Sequence, residues 1–280
     1  MQSSIQPQVN TFVSEEGLNV SYKYWKSSGN PKAIVVLAHG FNSHSGYFQW
    51  TAEQLVAQNY EAYGIDFPGR GNSDGERYYI ADYNQFVTEL DKLVNIAKAA
   101  HPGLPTFLLG HSAGGVLSSI YTLEHQDKLA GFVCESFAFQ VPAPDFALAV
   151  LRGVSHLFPH AHVLKLNNKD FSRNQEVVDT MDSDVLLANE VQPTKTVQQL
   201  SLADIRLKEE MAKIDLPLLI IHGTSDQATK PSGSQYFFDH ASSKDKTLKL
   251  YEGHYHDLLN DLDREVVMKD ILNWLDKRVK

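Results

Sequence analysis

Short apolar runs alternate with longer amphipathic stretches along most of this chain. The runs typical of buried strands are AIVVLAH (33–39), YEAYGID (60–66), TFLLGH (106–111), AGFVCES (130–136), LPLLIIHG (216–223) and KTLKLYEG (246–253). Apolar residues recur at helical spacing in the stretches 45–59, 82–100, 114–126 and 263–278. Strands that alternate with helices predict a mostly parallel sheet with helices on both faces.

The alternation changes at two places. Near the N terminus, TFVSE and NVSYKYW alternate apolar and polar residues and lie close together, which predicts an antiparallel hairpin at one edge. Between about residues 137 and 206 only helical patterns recur, so we expect a mostly helical insertion. The predicted fold is therefore α/β, with about eight strands, a core in two parts (1–136 and 207–280) and a cap at 137–206.

Composition limits the binding partners and the cellular compartment that we expect for this protein. The formal net charge is −9 and no basic block occurs, which argues against nucleic acid as a partner. The single cysteine, Cys134, fits a reducing compartment, and the N terminus has no signal-peptide pattern, so we expect a cytoplasmic protein. The amphipathic stretch 145–158 would allow transient contact with a membrane surface, but packing on the core explains it equally well.

The segment GHSAGG (110–115) matches the G-x-S-x-G pattern of a nucleophile elbow. The pattern alone is weak, but the strand TFLLGH precedes it and a helical stretch follows, as the elbow requires. Gly110 and Gly114 leave room around a sharp turn at Ser112. Ser112 is thus a candidate nucleophile, and the alternative is a glycine-rich turn without chemistry.

A serine nucleophile needs a histidine base and an orienting carboxylate, which follow it in this chain order. Asp226 lies in a polar loop after the strand 216–223, and His256 lies between the last strand and the last helix. Glu135, at the end of the strand AGFVCES, competes for the acid role, and His254 competes for the base role. The H-x-H pair also suggests metal, but no third ligand at a suitable spacing is apparent.

Acyl transfer also requires N–H donors for the oxyanion of the tetrahedral intermediate. The N–H of Ala113, which follows the candidate nucleophile, is one such donor. The N–H of Phe41, in the loop HGFNSHSGYF after the first long strand, is the second. We expect His39 to brace this loop and not to transfer protons.

These motifs, together with DFPGRGNSDG (66–75) and SRNQEVVDTMDSD (172–184), resemble the α/β-hydrolase superfamily over nearly the whole chain. The resemblance is strongest to its monoacylglycerol lipase and lysophospholipase branch, which is serine aminopeptidase S33-like. It implies the α/β-hydrolase fold, the triad Ser112, Asp226 and His256, oxyanion donors at Phe41 and Ala113, and no metal or cofactor. It also implies an apolar cap over the site, and the candidate substrate-binding residues are Phe137, Phe146, Val150 and Leu151.

The sequence therefore predicts a serine hydrolase that cleaves carboxylic esters through an acyl-enzyme. A monoacylglycerol or a lysophospholipid is the expected small-molecule substrate. Three alternatives stay open: a carboxylesterase for short-chain or aromatic esters, an aminopeptidase-like amide hydrolase, and a ligand-binding pseudo-hydrolase without activity.

Overall fold

An eight-stranded sheet forms the centre of the computed structural model, which describes residues 5–139 and 153–279. Its strands are β1 (Gln8–Val13), β2 (Asn19–Trp25), β3 (Ala33–Ala38), β4 (Tyr60–Ile65), β5 (Thr106–His111), β6 (Gly131–Glu135), β9 (Leu218–Gly223) and β10 (Lys246–Tyr251). Their spatial order is β1-β2-β4-β3-β5-β6-β9-β10, parallel from β4 to β10. β1 and β2 form an antiparallel edge hairpin, which pairs antiparallel with β4. The predicted α/β architecture is confirmed.

Helices cover both faces of this sheet. The α-helices among the described residues are α1 (Gln49–Ala57), α2 (Tyr83–Ala100), α3 (Ala113–His125), α4 (Gln175–Ser183), α5 (Thr194–Glu210), α6 (Pro231–His240) and α7 (Arg264–Asp276), of which α4 packs in a separate small cluster and not on the sheet. Side chains alternate across a strand, so Ile34 and Val36 of β3 join one core and Val35 and Leu37 the other. The first core packs mainly against α2 and α3, and the second against α1 and α7.

The chain between β6 and β9 (residues 136–217, described for 136–139 and 153–217) is here called the β6–β9 segment. It contains α4, α5 and two very short antiparallel strands, β7 (His162–Leu164) and β8 (Gln192–Pro193). Three and two residues are too few to produce a recognisable alternation, so these strands were not predicted. α5 continues beyond residue 206, and the division of the chain at 136 and 206 stays a prediction.

Two observations concern contact with membranes: the hydropathy of the helices and the exposure of apolar side chains. No helix among residues 5–139 and 153–279 is both long and apolar enough to cross a bilayer. Most of the amphipathic stretch 145–158 lies outside the described residues. Residues 157 and 158, at its end, are the exposed side chains Leu157 and Phe158.

Candidate active site

Three loops at the carboxyl edge of the sheet bring Ser112, His256 and Asp226 together. Ser112 follows β5, Asp226 follows β9, and His256 follows β10. Because parallel strands end at the same edge, their following loops meet there. The Nε2 atom of His256 lies 2.8 Å from the Ser112 Oγ, and its Nδ1 lies 2.7 Å from the Asp226 Oδ2. The Ser112 and His256 side chains are buried, so solvent competes little for these hydrogen bonds.

The backbone at Ser112 is strained. Its φ of 57° and ψ of −123° are rare for a residue with a side chain. A Cβ at Gly110 would lie 2.8 Å from the carbonyl oxygen of Gly114, and one at Gly114 would overlap the carbonyl oxygens of Ala38 and His39. The two glycines of the motif therefore permit the close packing that holds Ser112 in this conformation.

The carboxylate of Asp226 receives more donors than the sequence suggested. Its Oδ1 accepts the N–H groups of Ala228 and Thr229, each at 2.8 Å, and its Oδ2 also accepts the Thr229 hydroxyl at 2.8 Å. His222, at the end of β9, is a second histidine on this carboxylate, with Nε2 2.9 Å from Oδ2. Burial opposes ionisation, but His256 and His222 together hold the pKa of Asp226 well below its usual range. His222 was not predicted as a site residue; its place at a strand end, four residues before Asp226, was the available signal.

The rival acid and the rival base have other partners. One oxygen of Glu135 accepts the N–H of Leu259 at 3.1 Å, in the loop that carries His256. His254 lies 3.9 Å from the carboxylate of Asp261 and packs near the ring of Tyr251. The geometry thus favours Asp226 and His256 over these two alternatives.

A buried cluster of titratable groups lies behind His256. Ligand atoms of His111, Glu135 and Asp257 lie within 4.8 Å of one another, so among the described residues they could hold a metal ion. Burial, reinforced by Asp257, raises the pKa of Glu135 well above its usual range, and burial raises the pKa of Asp257 to about 6. Two buried carboxyls this close together repel each other when both are ionised, so we expect them to hold a proton between them.

Two backbone N–H groups beside the candidate nucleophile have no partner among the described residues. Within the described part of the chain, neither the N–H of Phe41 nor that of Ala113 donates to a protein acceptor. The loop of Phe41 lies against the elbow, since a Cβ at Gly40 would lie 2.7 Å from the Ser112 Cβ. His39 braces this loop. Its Nδ1 donates to the carbonyl of Gly40 and its Nε2 accepts from the N–H of Phe67, so the ring is neutral.

A cavity of about 350 Å³ extends from Ser112 under the β6–β9 segment. Its wall is mainly apolar and includes Val163, Leu164, Leu166, Phe171, Val197 and Leu200. It also includes Asp204 of α5, whose Oδ1 has no hydrogen-bond partner among the described residues. Burial raises the pKa of Asp204 well above its usual range, which favours the neutral carboxyl. Asp204 was not predicted as a site residue from the sequence.

Of the four candidate substrate-binding residues, the structure describes only Phe137. Phe137 packs in the core, with its ring 5.3 Å from Phe139 and 5.0 Å from Phe237, whereas its neighbour Ala138 lines the cavity. Phe146, Val150 and Leu151 lie outside the described residues.

Comparison with known proteins identifies relatives over almost the full chain. The family model of serine aminopeptidase S33 matches residues 29–263. Monoglyceride lipase from Homo sapiens is 31% identical over 95% of this chain and 89% of that protein. Monoacylglycerol lipase from Mycolicibacterium smegmatis is 30% identical over 95% of each. The crystal structure of Paleococcus ferrophilus monoacylglycerol lipase superposes with a TM-score of 0.82 and 27% identity, covering 98% of this chain and 99% of that one.

Proposed function

This chain belongs to the serine aminopeptidase S33 family and is a carboxylic ester hydrolase with the α/β-hydrolase fold, and we propose that its substrates are monoacylglycerols or similar monoacyl lipids. The observation that carries the proposal is the apolar cavity that opens directly onto Ser112. A wall of aliphatic and aromatic side chains suits a single acyl chain, since apolar contact supplies most of the affinity in such sites.

The proposed mechanism starts at the hydrogen bond between Ser112 and His256. His256 removes the hydroxyl proton, and the serine oxygen attacks the ester carbonyl. The N–H groups of Phe41 and Ala113 donate to the resulting oxyanion. His256 then protonates the leaving alcohol, and the same histidine activates water to hydrolyse the acyl-enzyme.

Asp226 has the orienting role in this mechanism. Its carboxylate accepts the Nδ1–H of His256, which leaves Nε2 as the acceptor for the serine proton. The depressed pKa of Asp226 keeps it ionised while the histidine becomes positively charged. No step in this scheme requires a cofactor.

Paired amide substitutions test the assignment of the acid. Asp226→Asn is expected to lower kcat by about 10⁴, because the amide no longer fixes the histidine tautomer. Glu135→Gln is expected to retain most of the turnover, because its amide oxygen can still accept the Leu259 N–H. Loss of turnover in Glu135→Gln alone would overturn the assignment of Asp226.

Substrate profiling tests the proposed substrate class. Stoichiometric labelling of Ser112 by a fluorophosphonate, lost in Ser112→Ala, separates an enzyme from a ligand-binding pseudo-hydrolase. Rates on monoacylglycerols of increasing chain length should exceed those on acetyl esters, aromatic esters and aminoacyl amides. A preference for acetyl esters would contradict the lipid proposal and favour a short-chain carboxylesterase. A preference for aminoacyl amides would contradict it and favour an amide hydrolase.

A further inference from the structure

The oxyanion loop, residues 40–44, is held by a buried ion pair that no step of the proposed mechanism uses. Glu190 of the β6–β9 segment forms this pair with Arg70, which lies in the loop after β4. The two side chains are only 2% and 3% exposed, respectively. The Glu190 Oε1 accepts from Arg70 and also accepts the N–H of Asn42, at 3.0 Å. The two donors therefore meet on one carboxylate oxygen.

Each member of the pair contacts one side of the oxyanion loop. The N–H of Asn42, fixed by Glu190, belongs to the residue directly after Phe41. The guanidinium of Arg70 lies 4.6 Å from the centre of the Phe41 ring, in cation–π geometry. The backbone and the side chain that flank the Phe41 N–H are therefore both held by the same ion pair.

The two charged groups are themselves fixed from outside the loop. Gln192 of β8 accepts from Arg70 at 2.8 Å and donates to Glu190 at 2.6 Å. Arg70 stands between Gly69 and Gly71, both with positive φ, in a turn where a Cβ at Gly71 would overlap the carboxylate of Asp66. Gln192 and the tight turn around Arg70 therefore restrict the two charged groups that contact the oxyanion loop.

Net stability does not account for this arrangement. Burying two charges costs about as much desolvation as their attraction returns, and apolar replacements are often as stable. What the pair provides is a fixed geometry between Asn42, Phe41 and Arg70. An N–H must lie within a few tenths of an ångström of its place to stabilise an oxyanion.

We propose that Arg70 and Glu190 are positioning residues that hold the Phe41 N–H in place for the oxyanion. This inference rests on the proposed function, because it assumes that the Phe41 N–H receives the carbonyl oxygen of the substrate. Neither residue lines the cavity at Ser112. The ion pair acts through the loop and makes the β6–β9 segment part of the catalytic geometry.

The test compares an oxygen ester with its thionoester, in which sulfur replaces the carbonyl oxygen. Sulfur is a weak hydrogen-bond acceptor, so the thionoester gains little from a well-placed N–H. Glu190→Gln keeps the size of the side chain but loses the charge. Arg70→Lys keeps the charge but loses the planar guanidinium, whose two nitrogens donate separately to Glu190 and Gln192. The matched control is Glu61→Gln. Glu61 is a buried carboxylate that accepts the Ser27 hydroxyl at 2.7 Å. It lies at the amino end of β4, whereas the site lies at the carboxyl ends of the strands.

For both variants, kcat on the oxygen ester is expected to fall about tenfold, with KM little changed, because one donor is displaced and not removed. The rate on the thionoester should fall by less than about twofold, since that substrate uses the N–H weakly. Glu61→Gln should keep the wild-type ratio of the two rates. An unchanged ratio in folded Glu190→Gln and Arg70→Lys would overturn the inference.

Three further outcomes are distinguishable. If neither variant unfolds cooperatively, the pair is required for folding and its role as a positioning device is rejected. If the wild-type protein hydrolyses neither ester, the proposed function itself fails. If the wild-type protein hydrolyses both esters at similar rates, the oxyanion assignment fails, and the inference that rests on it fails too.

Discussion

At the scale of single residues, the environment of Asp226 distinguishes this site from a minimal triad. One carboxylate accepts N–H groups from two histidines, His256 and His222. Burial lowers the pKa of His222, although Asp226 opposes this shift. A neutral His222 donates from Nε2 to Asp226 and accepts from the Ser234 hydroxyl at Nδ1, where the two atoms are 2.7 Å apart.

Replacement of His222 tests whether this second donor matters. His222→Ala removes a hydrogen bond to a charged group and should lower the free energy of unfolding by about 1–3 kcal/mol. It should also lower kcat, because Asp226 loses a donor that keeps it ionised and oriented. His222→Gln, whose amide can still donate, should recover part of both losses. Chemical denaturation and steady-state kinetics measure the two effects.

A matched substitution controls for simple loss of a histidine. His254→Gln alters a histidine two residues from His256 that does not contact Asp226, and it should leave kcat close to wild type. Equal losses in the alanine and glutamine variants of His222 would show that ring packing matters and the hydrogen bond does not.

At the scale of elements, the loop between β10 and α7 is fixed by the β6–β9 segment. The N–H of Asp257 donates to the carbonyl of Phe171 at 2.8 Å, and the Phe171 ring packs edge-on against His256. Asp261 links the two pieces of chain, because its carboxylate accepts Arg173 Nε at 2.8 Å and the Tyr255 N–H at 2.9 Å. His256 is therefore oriented by contacts from both its own loop and the segment above it.

Asp261→Asn tests this link. A neutral amide weakens the bond to Arg173 and cannot satisfy every donor, so the free energy of unfolding should fall by about 1–3 kcal/mol. The rate of Ser112 labelling by a fluorophosphonate should fall with it, since His256 is less well oriented. Asp245→Asn is the control, because its ion pair with Arg278 is more exposed and should contribute no more than about 1 kcal/mol. Similar losses in both variants would contradict a specific role for Asp261.

The same scale shows what the sequence could predict. Ser112, Asp226 and His256 each follow a strand of the sheet, so strand prediction and chain order indicated them, although the same criteria also admitted Glu135 and His254. Arg70 and Glu190 lie 120 residues apart in irregular segments, so no periodic pattern in the sequence predicts their contact. The apolar character of Phe137 made it a candidate substrate-binding residue, but its ring packs against Phe139 and Phe237, because apolar character cannot distinguish a cavity wall from a core.

At the scale of the whole molecule, the buried carboxyls behind His256 couple stability to pH. Burial and then Asp257 raise the pKa of Glu135, and burial raises the pKa of Asp257 to about 6. In the unfolded chain such groups titrate near pH 4. As pH rises from about 4, the unfolded state releases protons that the folded state retains, so the free energy of unfolding falls. The depressed pKa of Asp226 acts in the opposite direction, but only below about pH 4.

Glu135→Gln should therefore flatten the dependence of thermal stability on pH. The amide cannot ionise, so the variant lacks the proton that Glu135 retains in the folded state and releases on unfolding. Relative to wild type, we expect a similar Tm at pH 4.5 and a Tm higher by about 2–4 °C at pH 8, equivalent to roughly 1 kcal/mol. Glu252→Gln, which alters an exposed carboxyl, should shift Tm little at either pH. Calorimetry between pH 4.5 and pH 8 measures these Tm values. Parallel curves of Tm against pH for wild type and Glu135→Gln would exclude a proton shared in the cluster.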